Sequence, residues 1–415
     1  MSALTDQLAA AAGSLDIPAQ TVRRGAAAAA EVSQAWLARD EDAIGLTAKV
    51  MRAFARARLN ESHLAGTVGY GYHDVGRQAY ENIVASVLDA QAALARPQLV
   101  SGTHAIVLAL SALLRPGDLL CSLSGRPYDT LRQALVDHPN GLCQSGVQYA
   151  EGDDLDGLLD LRPAVAFIQR SRGYAQRPSL TIADITSLIE RVRARSPSSL
   201  VVVDNCYGEL VEPLEPCAVG ADLAVGSLIK NLGGGMALGG AYVAGSHALV
   251  ARVADRASAP GLGAAVGPSY GLTRWALAGL HRAPKAVCES LKLADFAAAL
   301  FGGLGYAVDP PAGAKRTDII QSIALGNPEK LIAFAGGLQR LLPVDSAAAP
   351  EPGSVPGYAD PVIMAGGGFI GGSTLELSCD APVRPPYAMY LQGGMDLAHG
   401  MLATLSAAAA VVALG

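Results

Sequence analysis

Short, continuous apolar runs alternate with helical stretches through the middle of this 415-residue chain. Because strands that are buried on both faces are apolar throughout, this pattern predicts a mainly parallel sheet covered by helices. We therefore expect an α/β fold whose ligands gather at the carboxyl ends of the strands. The predicted strands cover residues 97–100, 119–123, 165–168, 200–203, 223–225 and 241–244, and a helix is predicted over residues 181–190.

The chain divides into three predicted parts. Residues 1–60 have apolar side chains at helical spacing and predict an N-terminal helical segment. Residues 61–283 carry the alternating pattern of a large α/β domain. Residues 284–415 combine helices, one of them over 328–342, with a strand predicted over 374–379, which is typical of a smaller α+β domain. Since single cores stop growing near ~250–300 residues, two domains suit this length.

Composition argues against several classes of partner. The net charge is −6 and no polybasic stretch occurs, so we expect no nucleic-acid partner. The apolar C-terminal stretch of residues 401–415 is shorter than the ~20 residues that cross a bilayer, and the N-terminus lacks a secretory pattern. Six scattered cysteines without a Cys-x-x-Cys pair predict neither a metal site nor disulfides. We expect a cytoplasmic protein without a membrane partner.

Lys230 follows an apolar strand and leads into the glycine-rich turn 233–235, while Asp204 ends the apolar run before it. The chain has only six lysines among 31 basic residues, so a lysine at the end of an apolar strand is unlike an ordinary solubilising surface charge. An amine and an acid on neighbouring strand ends suit pyridoxal phosphate (PLP): Lys230 would hold its aldehyde as a Schiff base, and Asp204 would keep its ring nitrogen protonated. The alternatives are a strand-end lysine reaching water and an aspartate capping a turn.

A phosphate site is predicted at Ser101, Gly102 and Thr103, which precede a helical run. Backbone N–H groups at a helix N-terminus, together with two hydroxyls, suit a phosphate dianion, although an ordinary helix cap is the alternative. Ser227 can add a further hydroxyl. Tyr128 is our candidate for stacking on the pyridine ring, and we group it with the catalytic residues; a buried packing role is the alternative.

Two further groups of residues are candidate ligands. Arg384 is flanked by prolines, and a guanidinium on a stiff loop suits capture of an amino-acid carboxylate, unless it is a surface arginine. The predicted phosphate motif contains no cation. We therefore expect Tyr70, Tyr72 and Arg77 to reach the cofactor of a neighbouring subunit, which would give active sites shared within a dimer.

At these residues the sequence resembles the methionine gamma-lyase-like, or aluminium resistance protein, family of fold-type-I PLP-dependent enzymes. The resemblance implies a transferase-like α/β fold, homodimers or homotetramers, and the assignments of Lys230, Asp204 and the phosphate residues given above. The wider group carries an arginine where this chain has Glu376, so carboxylate recognition would pass to Arg384. The segments that carry the resemblance are 70–77, 101–105, 169–174, 203–209, 227–231 and 381–387.

These features predict a PLP-dependent lyase that acts on an amino acid, with elimination of a thiol from its β or γ carbon. Lys230 would take the Cα proton as the general base. An aminotransferase, a racemase or an aldolase would use the same cofactor residues. A PLP-binding protein with reduced catalysis is the alternative from another class.

Overall fold

The computed structural model describes residues 2–415, which form two compact units. One unit comprises Gly45–Pro284, and the other combines Met1–Ile44 with Lys285–Gly415. The boundaries fall within two long helices, so the predicted N-terminal segment of residues 1–60 is divided between the units. The helices are α1 Ser2–Gly13, α2 Ala19–Glu31, α3 Ser33–Ala57, α4 Val75–Val87, α5 Gly102–Leu113, α6 Asp129–Arg132, α7 Leu155–Asp160, α8 Ile182–Arg195, α9 His247–Ala257, α10 Thr273–Gly303, α11 Pro328–Gln339 and α12 Leu397–Val412.

The first unit contains a seven-stranded sheet with the order β1-β7-β6-β5-β4-β2-β3. Strands β2 to β6 pair in parallel, whereas β7 is antiparallel to both β1 and β6. Every residue of β4, β6 and β7 is buried, as expected for strands covered on both faces. The strands of this unit are β1 Ala92–Arg96, β2 Leu119–Ser122, β3 Gln148–Glu151, β4 Val165–Gln169, β5 Leu200–Asp204, β6 Leu223–Ser227 and β7 Ala241–Gly245.

Helix α8 is an example of a covering helix whose N-terminal cap and buried face are both formed by local sequence features. Thr181 caps its N-terminus, because the Thr181 hydroxyl accepts from the backbone N–H of Asp184 and the Asp184 carboxylate accepts in return. Isoleucine and valine side chains at helical spacing then form the buried face. These are Ile182, Ile185, Ile189 and Val192. The helix predicted over residues 181–190 is confirmed, although it extends to Arg195.

The second unit contains an antiparallel sheet of five strands with the order β10-β11-β12-β9-β8. Helices α11 and α12 pack closely, because a Cβ added at Gly337 would lie 2.7 Å from the Cα of Ala407. The mainly parallel sheet and the smaller α+β unit agree with the predicted fold class. The strands are β8 Ala307–Asp309, β9 Ile320–Ala324, β10 Val362–Gly366, β11 Ser378–Pro382 and β12 Ala388–Gln392.

Two predicted strands are wrong. The strand near residues 97–100 lies earlier, at β1, and Leu99 is buried in the turn that follows it. The strand predicted over 374–379 begins only at Ser378. The residues before it form a turn, in which the Glu376 carboxylate accepts from the backbone N–H groups of Phe369 and Ile370. A buried apolar side chain does not require a strand, and these two segments illustrate this.

Among the described residues, no helix combines the length and apolar character that a membrane crossing requires.

The predicted helix over 328–342 is confirmed as α11, although it ends three residues earlier. Predicted strands 119–123, 165–168, 200–203, 223–225 and 241–244 are confirmed as β2 and β4 to β7. The edge strand β3 was not predicted, because its residues are only partly buried.

Candidate active site

Lys230 lies three residues beyond the end of β6, at the start of a tight turn. A 3₁₀ turn over Asn231–Gly233 follows it, and Gly234 then has φ of 51°. A Cβ added at Gly234 would lie 2.1 Å from the carbonyl oxygen of Gly279, so only glycine fits there. The glycine-rich segment forms the turn that the sequence predicted for Lys230.

Acidic and aromatic groups that follow β5 surround the Lys230 amine. Its Nζ lies 3.7 Å from the centroid of the Tyr207 ring. Burial lowers the pKa of Lys230, but Tyr207, Cys206 and Asp204 outweigh burial, so the pKa is raised. Burial also raises the pKa of the Cys206 thiol and keeps it neutral. The Asp204 carboxylate and the face of the Tyr207 ring are therefore the groups that favour the ammonium form.

Asp204 is the last residue of β5 and is buried. Its Oδ1 accepts from the backbone N–H of Cys206 at 3.1 Å. Burial raises the pKa of the carboxyl, whereas the hydrogen bonds from Cys206 and the charges of Lys230 and Arg177 favour its ionised form. Because β5 and β6 run in parallel, with Asp204 opposite Val225, the structure brings the predicted acid and amine to one edge of the sheet.

The predicted phosphate residues lie together where α5 begins. The Ser101 hydroxyl accepts from the backbone N–H of His104 at 3.1 Å, so Ser101 also serves as the helix cap. A Cβ added at Gly102 would lie 3.5 Å from the Cβ of Ser227 and 3.2 Å from the Sγ of Cys206. The N-terminus of α5 therefore lies close to the end of β6, where Ser227 is located.

Tyr128 connects the phosphate residues to the acid. Its hydroxyl lies 2.8 Å from the Thr103 hydroxyl, and its backbone N–H donates to Oε1 of Gln169 at 3.0 Å. Burial raises the pKa of Tyr128, and the negative charge of Asp204 adds to this effect, so the phenol stays neutral. Tyr128 thus contacts Thr103 of the predicted phosphate site and lies close enough to Asp204 to feel its charge.

These side chains fit pyridoxal phosphate. A helix N-terminus with hydroxyls suits the phosphate. Burial raises the pKa of Asp204, and a cationic ring nitrogen beside this carboxyl would favour its ionised form. Lys230 supplies an amine at the same edge of the sheet. Gly102 has no side chain at this helix N-terminus, which leaves its backbone open to close approach by a phosphate.

Arg77 contacts backbone atoms of its own chain, and its predicted contact with the cofactor of a neighbouring subunit stays a prediction. The side chain is buried, and its guanidinium donates to the carbonyl oxygens of Gly71 and Gly267 and, at 3.2 Å, of Ala265. Burial lowers its pKa, and the nearby Arg96 lowers it further. These contacts tie the segment 70–77 to residues 264–267 and give Arg77 a structural role.

Tyr70 and Tyr72 lie on the segment that Arg77 holds, and both are exposed. Their exposed fractions are 75% and 51%, and their ring centroids are 5.7 Å apart. A Cβ added at Gly71, between them, would lie 2.5 Å from the backbone of Pro268, so the segment is held tightly. Two aromatic rings on a rigid, exposed turn remain available for a partner surface.

Arg384 belongs to the second unit, where it follows β11. Its guanidinium forms an ion pair with Asp360 at 2.7 Å, and both side chains are about 40% exposed. Carboxylate capture by Arg384 remains a prediction, and a substrate would have to compete with Asp360.

Several residues at the site were not among the predicted site residues. Tyr207 has φ of 71°, a left-handed conformation that a bulky residue rarely adopts and that is not visible in its sequence. Cys206 and Arg177 act on the Asp204 carboxyl. The segment 203–209, which carries part of the family resemblance, was the available signal for Cys206 and Tyr207.

Comparison with known proteins supports this arrangement. Residues 22–412 match the methionine gamma-lyase family. The chain is 42% identical to the uncharacterized protein YnbB of Bacillus subtilis (strain 168), over 86% of this chain and 89% of that protein. It is 36% identical to the L-methionine gamma-lyase of Pseudomonas putida, over 41% of this chain and 40% of that protein. The crystal structure of a carbon–sulfur lyase involved in aluminium resistance from Clostridium novyi NT matches with a TM-score of 0.90 and 37% identity, over 95% of this chain and 96% of that chain.

The fold, and the amine, acid and phosphate residues at one sheet edge, define a PLP-dependent protein of fold type I. Because the family match covers nearly the whole chain, the chain belongs to the methionine gamma-lyase family. The predicted family and cofactor are confirmed, and the family supports a function of the carbon–sulfur lyase type.

Proposed function

We propose that this protein is an enzyme that cleaves a carbon–sulfur bond of an amino acid. The observation that carries the proposal is that Lys230 and Asp204 follow neighbouring parallel strands at one edge of the sheet, beside the predicted phosphate site at a helix N-terminus, in a chain of the methionine gamma-lyase family. The names of the Pseudomonas putida and Clostridium novyi proteins support the same chemistry.

Each residue has a separate task in this proposal. When bound, PLP supplies an electron sink for negative charge at the substrate Cα. Asp204 would hold the proton on the ring nitrogen, and Ser101, Thr103 and Ser227 would bind the phosphate. Tyr128 would stack on the ring, and its hydroxyl contacts that of Thr103.

Lys230 attaches the cofactor and then moves protons. Asp204 is one of the groups that favour the ammonium form of Lys230, so pairing of Asp204 with a ring nitrogen would reduce this effect and lower the pKa of the amine. The neutral amine can then take the proton from the substrate Cα. Loss of the thiol from the β or γ carbon, followed by hydrolysis, gives a thiol, an oxo acid and ammonia.

We also propose that two copies share their active sites. Tyr70 and Tyr72 supply exposed aromatic rings with hydroxyls on a rigid turn, as an isologous contact would use. Mixing inactive Lys230→Ala subunits with a Tyr70→Ala/Tyr72→Ala double variant tests this, since a hybrid dimer contains one complete site. Recovery of about a quarter of the parental activity is expected for random pairing. No recovery in verified hybrids would show that the tyrosines act within their own chain.

A cytoplasmic location fits the same proposal. All six cysteines are free thiols, and four of them are buried. Detection of the tagged protein in the cytoplasmic fraction would agree with this location, and its recovery outside the cell would contradict it.

Product analysis tests the reaction itself. The PLP-loaded protein is incubated with a panel of sulfur-containing amino acids, with Lys230→Ala as the control. Equal amounts of thiol, oxo acid and ammonia from the parent alone are expected. Amino-group exchange with an added oxo acid, without thiol release, would contradict the lyase proposal and favour an aminotransferase.

A further inference from the structure

Glu209 and Tyr242 form a buried pair against β6, the strand that leads to Lys230. The Tyr242 hydroxyl donates to Oε1 of Glu209 at 2.9 Å. A Cβ added at Gly226, which lies opposite Tyr242 in the sheet, would be 2.5 Å from both of these oxygens. The glycine in β6 therefore leaves the space in which the carboxyl and the phenol meet.

Glu209 also contacts Asn231, the residue that follows Lys230. Nδ2 of Asn231 donates to the backbone carbonyl of Glu209 at 3.0 Å. Both Oε2 of Glu209 and Oδ1 of Asn231 are buried and have no hydrogen-bond partner within residues 2–415. If Glu209 is ionised, both atoms are acceptors and neither has a donor, which is costly in a buried site. A proton on Glu209 converts one of the two acceptors into a donor.

Burial and the charge of Glu215 favour this protonated form of Glu209. Glu215 is fully buried nearby, and the Arg170 guanidinium, 3.9 Å from Glu215, already donates to Asn205 at 2.7 Å. Burial, and then the charge of Glu215, raise the pKa of Glu209 to about 8, against the Tyr242 hydrogen bond and the charge of Lys230. Two neighbouring acids, the Cys206 thiol and the Tyr242 phenol, have raised pKa values and stay neutral.

We propose that Glu209 is a protonated positioning residue, which directs its proton to Asn231 and so fixes the turn that carries Lys230. Its neutrality leaves Asp204 as the carboxylate partner of Lys230. The inference builds on the role of Lys230 in the proposed function. Its test needs no substrate, so a failure of the lyase reaction and a failure of this inference are separate results.

Infrared difference spectroscopy of the PLP-loaded protein tests the proton directly. The spectrum of Glu209→Gln is subtracted from that of the parent across a titration from about pH 6 to pH 10. A protonated-carboxyl band in the parent is expected, which disappears with a midpoint near pH 8. Glutamine keeps a donor toward Asn231, so the visible spectrum of Glu209→Gln should match that of the parent at neutral pH, whereas Glu209→Leu should alter it. Absence of the carboxyl band at pH 6 would overturn the proposal.

Tyr242→Phe provides a second test, which can be made even if the Glu209→Gln variant does not fold. It removes the hydrogen bond that favours the ionised carboxylate, so the midpoint of the band should rise by about one pH unit. An unchanged or lower midpoint would show that the titrating group is not Glu209 and would overturn the proposal. Asp204→Asn is the control, because a variant that lacks the Asp204 carboxyl should still show the Glu209 band.

Discussion

Lys230 and Arg77 are two basic side chains of the same unit, each in a glycine-rich setting, and their partners differ in kind. Lys230 lies among groups that can change protonation or partner: Asp204, the Tyr207 ring and the Cys206 thiol. The Arg77 guanidinium donates to fixed backbone carbonyl oxygens. Burial alone therefore does not identify the role of a basic side chain, whereas the chemistry of its partners does.

The same contrast separates reactivity from stability. A carbonyl cannot release its hydrogen bond without leaving a buried acceptor unpaired, so Arg77 is committed to the fold. A carboxylate can exchange one cation for another, so Asp204 can serve Lys230 or a ring nitrogen. Changes around Lys230 should therefore affect turnover, and changes at Arg77 should affect unfolding.

Asp204→Asn should give the largest effect on turnover. The variant keeps the size of the side chain but loses the charge that holds a proton on the ring nitrogen, so kcat should fall on the order of 10²-fold or more. Steady-state kinetics of the PLP-loaded protein measure this. Asp222→Asn, before the start of β6, is the control, because Asp222 pairs with Arg193 and should affect stability alone. Parental turnover in Asp204→Asn would remove Asp204 from the mechanism.

Arg77→Ala should destabilise the fold. It leaves the carbonyl oxygens of residues 71, 265 and 267 without their donor, so the free energy of unfolding should drop by about 3 kcal/mol. Urea unfolding monitored by circular dichroism measures it, with the exposed Arg52→Ala as the control. If Arg77→Ala instead weakened PLP binding without any loss of stability, the contrast with Lys230 would fail.

Arg384→Ala should give the smallest effect, on substrate binding. If Arg384 receives the substrate carboxylate, KM should rise about 10-fold with kcat little changed, since one charge-assisted hydrogen bond is lost. Asp360→Asn removes the ion-pair partner and keeps the guanidinium, so its KM should stay level or fall. Equal kinetics for Arg384→Ala and the parent would assign Arg384 to the surface.

The residues of the site differ in how far the sequence could predict their positions. Asp204, Lys230 and the phosphate residues each follow a short apolar run or open a helix, so their local sequence places them at one edge of the sheet. Two partners of Arg77, the carbonyl oxygens of Ala265 and Gly267, lie about 190 residues further along the chain and are backbone atoms, which no side-chain pattern encodes. The turn around Glu376 and the left-handed Tyr207 depend on tertiary contacts in the same way.

The central claim, that Lys230 is the residue that carries the cofactor, is tested most directly by borohydride reduction of the PLP-loaded protein followed by peptide mapping. Reduction makes the link between cofactor and lysine permanent. The account predicts a pyridoxyl label on Lys230 and no label in a folded Lys230→Ala variant. A label on any of the other five lysines, with Lys230 unmodified, would contradict it.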